Sequence, residues 1–97
     1  MKRLSNTDGA CFNNVTLTVT PQQLIDALGD PDYFDNTGVN ETNMKYNLET
    51  DDGIIFTIYD WKEYRSLPMN EPIEFHIGTF NYPIDEAVKD IVLNLIG

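Results

Sequence analysis

The sequence predicts one α+β domain: a four-stranded antiparallel sheet with two helices on one face, in the order β-α-β-β-β-α. Four stretches alternate in apolar character with the period of two that is typical of strands. Two other stretches place apolar residues at helical spacing. The 97 residues, 41% of them hydrophobic, can bury one core but not two. We expect residues 14–97 to form this domain and residues 1–13 to be a flexible N-terminal segment.

The first strand leads directly into the first helix at Thr20. Residues 15–20 alternate apolar side chains with threonine, which predicts a strand with one buried face. Thr20 suits a helix N-cap, Pro21 the first helical position and Gln23 the closing residue of a capping box. Gly29 is the expected end of this short helix.

A long irregular segment, residues 30–43, follows the first helix. It is rich in the turn formers Pro, Gly, Asn and Asp. Tyr33 and Phe34 within it either anchor the segment to the core or form a mobile aromatic flap. We favour anchoring, because a long loop needs apolar contacts to stay ordered.

The rest of the chain predicts a hairpin, a fourth strand and a second helix. Residues 44–50 and 54–61 alternate around the turn sequence Asp51-Asp52-Gly53. Residues 73–80 form the fourth strand, and residues 81–83 open the last helix. The apolar stripe of that helix recurs at i, i+3, i+4, i+7, i+8 and i+11: Ile84, Ala87, Val88, Ile91, Val92 and Leu95.

Charge and cysteine content exclude several classes of protein. Sixteen acidic and six basic residues give a net charge of -10, which disfavours coating of long nucleic acids or of anionic membranes. Cys11 is the single cysteine, so no intramolecular disulfide can form and a reducing cytoplasm fits. We see no signal peptide and no segment of about twenty apolar residues that could span a membrane.

We expect neither catalysis nor a bound metal or cofactor. His76 is the single histidine, and nothing in the sequence indicates a triad around it. Asp30, Asp32 and Glu41 fall at positions one, three and twelve of a calcium loop. Position five, however, is Phe34, and the next residue is not the required glycine, so a solvated acidic loop is favoured.

One segment combines aromatic and basic side chains. Tyr59, Trp61 and Tyr64 can stack on a base, and Lys62 and Arg65 can meet a phosphate. The alternative is that Tyr59 and Trp61 are core or dimer-interface aromatics beside an exposed lysine. The residues alone slightly favour this alternative.

Two further candidates lie on the fourth strand. Gly78-Thr79 precedes a helix, where free N–H groups and the threonine hydroxyl could meet an anion, although a bend at a strand end is an equal alternative. His76 is either a ligand contact or an ordinary residue of the sheet surface beside Glu74 and Gly78, and the second is favoured.

Residues 56–62, Phe-Thr-Ile-Tyr-Asp-Trp-Lys, together with residues 74–78, Glu-Phe-His-Ile-Gly, and the C-terminal helix resemble a family of small bacteriophage proteins. The resemblance spans roughly residues 15–95 and extends to phage cyclic-nucleotide sponges, which sequester the signal of CBASS defence without cleaving it. It implies a homo-oligomer in the cytoplasm of an infected bacterium, with a nucleotide pocket in or beside which Tyr59, Trp61, Lys62, His76 and Thr79 lie.

A second hypothesis follows from charge rather than from resemblance. No lysine or arginine occurs from Leu4 to Met44, and this stretch carries six acids. An acidic protein-binding inhibitor, acting as a DNA mimic or in the manner of an anti-CRISPR, would use such a surface against a basic host enzyme.

Overall fold

The computed structural model describes residues 1–81 and 83–97 and confirms an α+β fold with two helices and an antiparallel sheet. Its elements in chain order are β1 (Lys2–Arg3), β2 (Cys11–Val19), α1 (Pro21–Leu28), β3 (Tyr33–Phe34), β4 (Met44–Glu49), β5 (Ile55–Asp60), β6 (Ile73–Thr79) and α2 (Ile84–Ile96). The prediction of four strands is wrong, because β1 and β3 add to the sheet. Each has only two residues, which is too short to show an alternating pattern.

The sheet runs in the order β1-β4-β5-β6-β2, and β3 also pairs with β4. All of these pairings are antiparallel. Both short strands lie along the same edge of β4, with Arg3 opposite Leu48 and Phe34 opposite Met44. Strand β2 forms the other edge of the sheet.

The N-terminal residues take part in the sheet at two places. Lys2–Arg3 pairs with β4, and β2 begins at Cys11. The Arg3 guanidinium donates hydrogen bonds to the carbonyl oxygens of Leu28 and Asp30. The flexibility of residues 1–13 stays a prediction, but these contacts connect Arg3 to the loop that follows α1.

One core lies between the sheet and the two helices. Leu24 of α1 and Val88 and Val92 of α2 are fully buried in it. Every second residue of the four longer strands faces this core, and each large apolar side chain buried there contributes about 1.5–3 kcal/mol. The core-facing strand residues are Val15, Leu17, Val19, Met44, Tyr46, Leu48, Phe56, Ile58, Ile73, Phe75 and Ile77.

The start of α1 forms as its sequence predicts. The Gln23 backbone N–H donates to Thr20 Oγ1 at 3.0 Å, and the Thr20 N–H donates to Gln23 Oε1 at 2.8 Å. This reciprocal pair is the predicted capping box, which is therefore confirmed. Gly29 ends the helix at a φ of 84°, a left-handed value that favours glycine.

A buried carboxylate holds the long loop before β4. Asp60, fully buried, accepts hydrogen bonds from the backbone N–H groups of Asn43 and Met44 at 2.8 and 2.9 Å and from Asn43 Nδ2 at 3.0 Å. Tyr33 and Phe34 are exposed, so the prediction that they anchor this loop in the core is wrong. The polar contacts of Asn43 with Asp60 replace them.

The predicted start of the last helix includes Tyr82, which lies outside the described residues. In the described part of the chain, neither helix has the length and apolar character needed to cross a membrane.

Candidate functional site

The side of the sheet opposite the helices, called here the open sheet face, carries an ordered row of polar and aromatic residues. Lys45 on β4 pairs with Tyr59 on β5, Tyr59 pairs with His76 on β6, and His76 pairs with Thr16 on β2. Because residues in register on neighbouring strands lie about 5 Å apart, their side chains are close neighbours. The pairing therefore brings together residues from both ends of the sequence.

Aromatic side chains contact one another along this row. The His76 ring stacks on Phe12 with centroids 3.9 Å apart and planes at 10°. Tyr59 meets His76 edge-on at 5.5 Å and Trp61 edge-on at 6.1 Å. Four rings thus form a continuous apolar strip from β2 to the end of β5.

Glycine is required beneath this strip at residue 78. Gly78 pairs with Phe12 on one side and with Thr57 on the other. A Cβ at this position would lie 2.8 Å from Thr57 Cγ2 and 3.3 Å from the Cys11 carbonyl oxygen. The missing side chain therefore lets the Thr57 methyl group and the Cys11 backbone pack closely against β6.

A depression of about 210 Å³ opens beside Trp61, and we call it the threonine depression. The Thr7 hydroxyl donates to Asn47 Oδ1 at 2.9 Å, and the Thr57 hydroxyl donates to the Tyr46 carbonyl oxygen at 2.8 Å. These bonds fix two of its walls. Its lining residues are Thr7, Ala10, Thr42, Lys45, Thr57, Tyr59 and Trp61.

Trp61 lines the threonine depression, and the Lys62 side chain lies beside its ring. The Trp61 side chain is 41% exposed, which leaves ring surface free to stack on a ligand. Lys62 Nζ lies 5.5 Å from the centroid of the Trp61 ring, a cation–π distance. The Lys62 backbone has a φ of 55°, and its N–H donates to the Glu41 carbonyl oxygen at 2.7 Å.

Arg65 lies farther along the same exposed segment. Its guanidinium pairs with Glu63 Oε1 at 3.5 Å, and its carbonyl oxygen accepts a hydrogen bond from Asn43 Nδ2 at 3.0 Å. Gly38 packs against its backbone so closely that a Cβ there would lie 2.6 Å from Arg65 Cα. Arg65 is not among the residues that line the threonine depression.

Thr79 lies on the other side of the sheet from Tyr59 and His76. It is buried, and its hydroxyl donates to Asp85 Oδ1 at 2.6 Å. Asp85, also buried, accepts a second bond from Asn13 Nδ2 at 3.2 Å. A carboxylate of the chain itself therefore occupies the start of α2, where the sequence suggested an anion site.

Burial changes the acid–base behaviour of two residues on the open sheet face. Burial lowers the pKa of His76 below its usual value, against the opposing effect of the nearby Glu74 carboxylate. The ring is therefore neutral at physiological pH, as suits its stacking on Phe12. Burial, with a smaller effect from Cys11, raises the pKa of Tyr59, which keeps its hydroxyl protonated as a hydrogen-bond donor.

The carboxylates that match a calcium loop in sequence do not form a metal site among the described residues. Asp32 Oδ2 accepts hydrogen bonds from Arg3 Nη1 at 3.2 Å and from the Asn47 N–H at 2.8 Å. Over residues 1–81 and 83–97 we find no group of three or more His, Cys, Asp or Glu side chains that could hold a metal ion.

The structure thus brings Tyr59, Trp61 and His76 together on one face, with Lys62 beside Trp61. Thr7 and Thr42, which sequence reasoning missed, complete the depression. They come from the N-terminal segment and the long loop, and no periodic pattern relates them to the sheet. Protein-family models gave no match to this chain, and curated proteins gave none either.

Proposed function

We propose that this protein binds a small anionic nucleotide on the open sheet face and sequesters it without cleaving it. In the form suggested by its resemblance to phage proteins, it is a phage-encoded anti-defence protein that removes a cyclic nucleotide immune signal inside the infected bacterium. The observation that carries the proposal is the half-exposed Trp61 ring, which lines the threonine depression and has the Lys62 ammonium 5.5 Å from its centroid.

The chemistry of the depression suits one nucleobase. A volume of about 210 Å³ is below the roughly 300–1,000 Å³ of a pocket that encloses a whole drug-sized ligand. One base stacked on Trp61 would fill it. The threonine hydroxyls already donate to groups of the protein, so their oxygens would accept hydrogen bonds from a base edge while the Lys45 ammonium would donate one. The rest of the nucleotide would extend across the exposed surface next to Lys62, where a phosphate meets a positive charge.

Sequestration rather than turnover is supported by what surrounds this surface. His76 packs between Phe12 and Tyr59 and is neutral, and its neighbour on the strand, Glu74, is exposed on the same face. Among the described residues, no hydrogen bond joins the His76 ring to the neighbouring Thr16 hydroxyl or to the Glu74 carboxylate, as a catalytic base and its partners would need. Binding by stacking and charge-assisted hydrogen bonds needs no catalytic base.

Calorimetry against a panel of cyclic dinucleotides and trinucleotides tests the proposal. We expect at least one to bind at micromolar concentration or better, and Trp61→Ala to weaken that binding about 5- to 150-fold, the equivalent of one lost stacking contact of about 1–3 kcal/mol. Phe34→Ala, which removes another exposed aromatic ring outside the site, is the matched control and should bind as the wild type does.

Ligand released by denaturing the complex should be chemically unchanged when analysed by chromatography. Absence of binding to every member of the panel at about 100 µM would rule out the proposal, as would equal losses in the Trp61 and Phe34 variants.

The second candidate function is inhibition of a basic host defence protein by an acidic surface. The observation that favours it is that most carboxylates are exposed, among them Asp8, Asp26, Asp51, Asp52, Glu71, Glu74, Glu86 and Asp90. Immobilised protein should then capture a host protein that elutes at a few hundred millimolar salt, because exposed charges are screened over about 10 Å at 0.1 M. Recovery of no partner at low salt would count against it.

A further inference from the structure

We propose that two copies of this chain join through strand β2 as an antiparallel pair, so that their sheets become one. The inference is independent of the nucleotide proposal. It rests on the position of β2 in the sheet, on its sequence, and on the distribution of charge along the chain.

Strand β2 is an open edge. It pairs with β6 on one side and ends the sheet on the other. In an antiparallel ladder, alternate residues of such a strand direct their N–H and C=O groups away from the sheet, ready to pair with another strand. Its nine residues include no charged residue and no proline, the two features that most often protect such edges.

The first half of β2 is irregular and the second half is not. The register with β6 shifts between Phe12 and Thr16, and Asn14 has a φ of 66°. A bulge of this kind twists an edge away from further pairing. From Thr16 to Val19 the pairing with β6 is continuous, so this regular part is where another strand can be added.

The sequence of the regular part, extended by Val15 on its N-terminal side, is symmetric about Leu17. Residues 15–19 read Val-Thr-Leu-Thr-Val in both directions. When two copies pair antiparallel around a two-fold axis at Leu17, Thr16 faces Thr18 of the second copy and Val15 faces its Val19. Like residues therefore meet on both faces, and Thr–Thr and β-branched cross-strand pairs are favourable ones. Such an isologous contact closes on itself as a dimer.

The distribution of charge along the chain also favours β2 as the place where two copies meet. Two chains with a net charge of -10 repel each other over most of their surfaces. No Asp, Glu, Lys or Arg occurs from Gly9 to Ile25, the longest uncharged run in the sequence, and β2 lies within it. Here the two copies can approach without bringing like charges into contact.

The exposed carboxylate of α2 that borders β2 is compatible with this arrangement. Glu86 borders the same surface depression as Asn13, Asn14 and Val15. The antiparallel pairing places the two Val15 residues at opposite ends of the paired segment, about 13 Å apart at 3.3 Å per residue. The two Glu86 residues therefore border opposite ends of the paired segment.

Sedimentation velocity of the whole chain over a concentration series tests the proposal. We expect the wild type to dimerise, and more strongly as salt is added, because salt screens the overall repulsion. T16E/T18E places glutamate opposite glutamate twice and should weaken dimerisation about tenfold or more. The control T37E/V39E adds the same charge at exposed positions of the loop beyond the opposite edge of the sheet and should change dimerisation much less.

Mixing two variants provides the decisive measurement. T16K/T18K and T16E/T18E should each be mainly monomeric alone but should dimerise when mixed, since lysine then faces glutamate across the two-fold axis. Circular dichroism checks that each variant is folded. If a double variant is not, a mixture of T18E and T16K, which face each other across the axis, replaces it and should form the heterodimer.

Four outcomes would overturn the proposal. They are a wild type that stays monomeric at about 200 µM, a T16E/T18E variant no weaker than the control, a mixture without heterodimers, and dimers that dissociate as salt is added.

Discussion

Replacement of Asp60 by alanine should cause a large loss of stability, because this buried carboxylate accepts three hydrogen bonds at the junction of β4, β5 and the long loop. Hydrogen bonds to a charged group contribute about 1.5–3 kcal/mol each, but three bonds to one carboxylate are not additive. The substitution also leaves the N–H groups of Asn43 and Met44 buried without an acceptor, at about 1–3 kcal/mol each. We expect a loss of about 3–5 kcal/mol from a total stability of about 5–15 kcal/mol.

Urea unfolding followed by Trp61 fluorescence measures this loss, since Trp61 directly follows Asp60. At a slope of about 1.5 kcal/mol/M the midpoint should fall by about 2–3 M. Asp60→Asn keeps the volume but presents an amide N–H₂ to the same donors, so it should lose most of the stability too. Asp52→Ala removes an exposed carboxylate with the same change of charge and should shift the midpoint little. A loss below about 1 kcal/mol in the Asp60 variants, or one equal to that of the control, would refute this reasoning.

Three further predictions follow from local geometry. Gly38→Ala should destabilise the protein by about 2–4 kcal/mol in the same assay, because residue 38 has a φ of 79° and its new Cβ would lie 2.6 Å from the Arg65 backbone. Gly53→Ala is the control and should lose only about 1 kcal/mol, because its φ is 88° but the nearest atom to a new Cβ is a side-chain oxygen at 3.8 Å. Equal losses in the two variants would contradict the role of the Arg65 contact. Burial lowers the pKa of His76 in the folded state, so the contribution of His76 to stability is complete above its unfolded pKa of about 6.5 and decreases as the pH falls below that value. The difference in stability between the wild type and His76→Phe should therefore change as the pH is lowered from about 7. A difference that is independent of pH would argue against this prediction. Thr79→Val should cost about 1–3 kcal/mol because it leaves a buried carboxylate with one donor fewer. Thr37→Val, at an exposed position of the long loop, serves as the control and should be close to neutral in thermal unfolding, and similar effects of the two substitutions would count against this assignment.

The parts of the fold that were predictable from sequence are those with long, regular patterns. The alternation of residues 44–50 and 54–61 around Asp51-Asp52-Gly53 identified the β4–β5 hairpin, and each predicted strand end lies within one residue of the observed end. The apolar stripe from Ile84 identified α2, and the Thr20 capping box identified the start of α1. In each case the signal is local and extends over several residues.

The candidate site was less predictable, because register and loops determine it. Period two alone places Tyr59 and His76 on the open sheet face, but only the pairing of β5 with β6 makes them neighbours. The same period places Thr79 on the core side with Ile77, so alternation along β6 already argued against a shared pocket with His76. Thr7 and Thr42 reach the depression from irregular segments, for which sequence offers no periodic signal.

The row from Lys45 to Thr16 has a consequence for when this surface can exist. Thr16 and His76 are neighbours on adjacent strands although they are about 60 positions apart in sequence. A chain still being synthesised has no such surface until β6 has left the ribosome and β2 has paired with it. Closing so large a loop is slow compared with forming a local hairpin, so β4 and β5 can pair well before the row is complete. Any partner that recognises the whole row therefore selects finished molecules over nascent or partly folded ones.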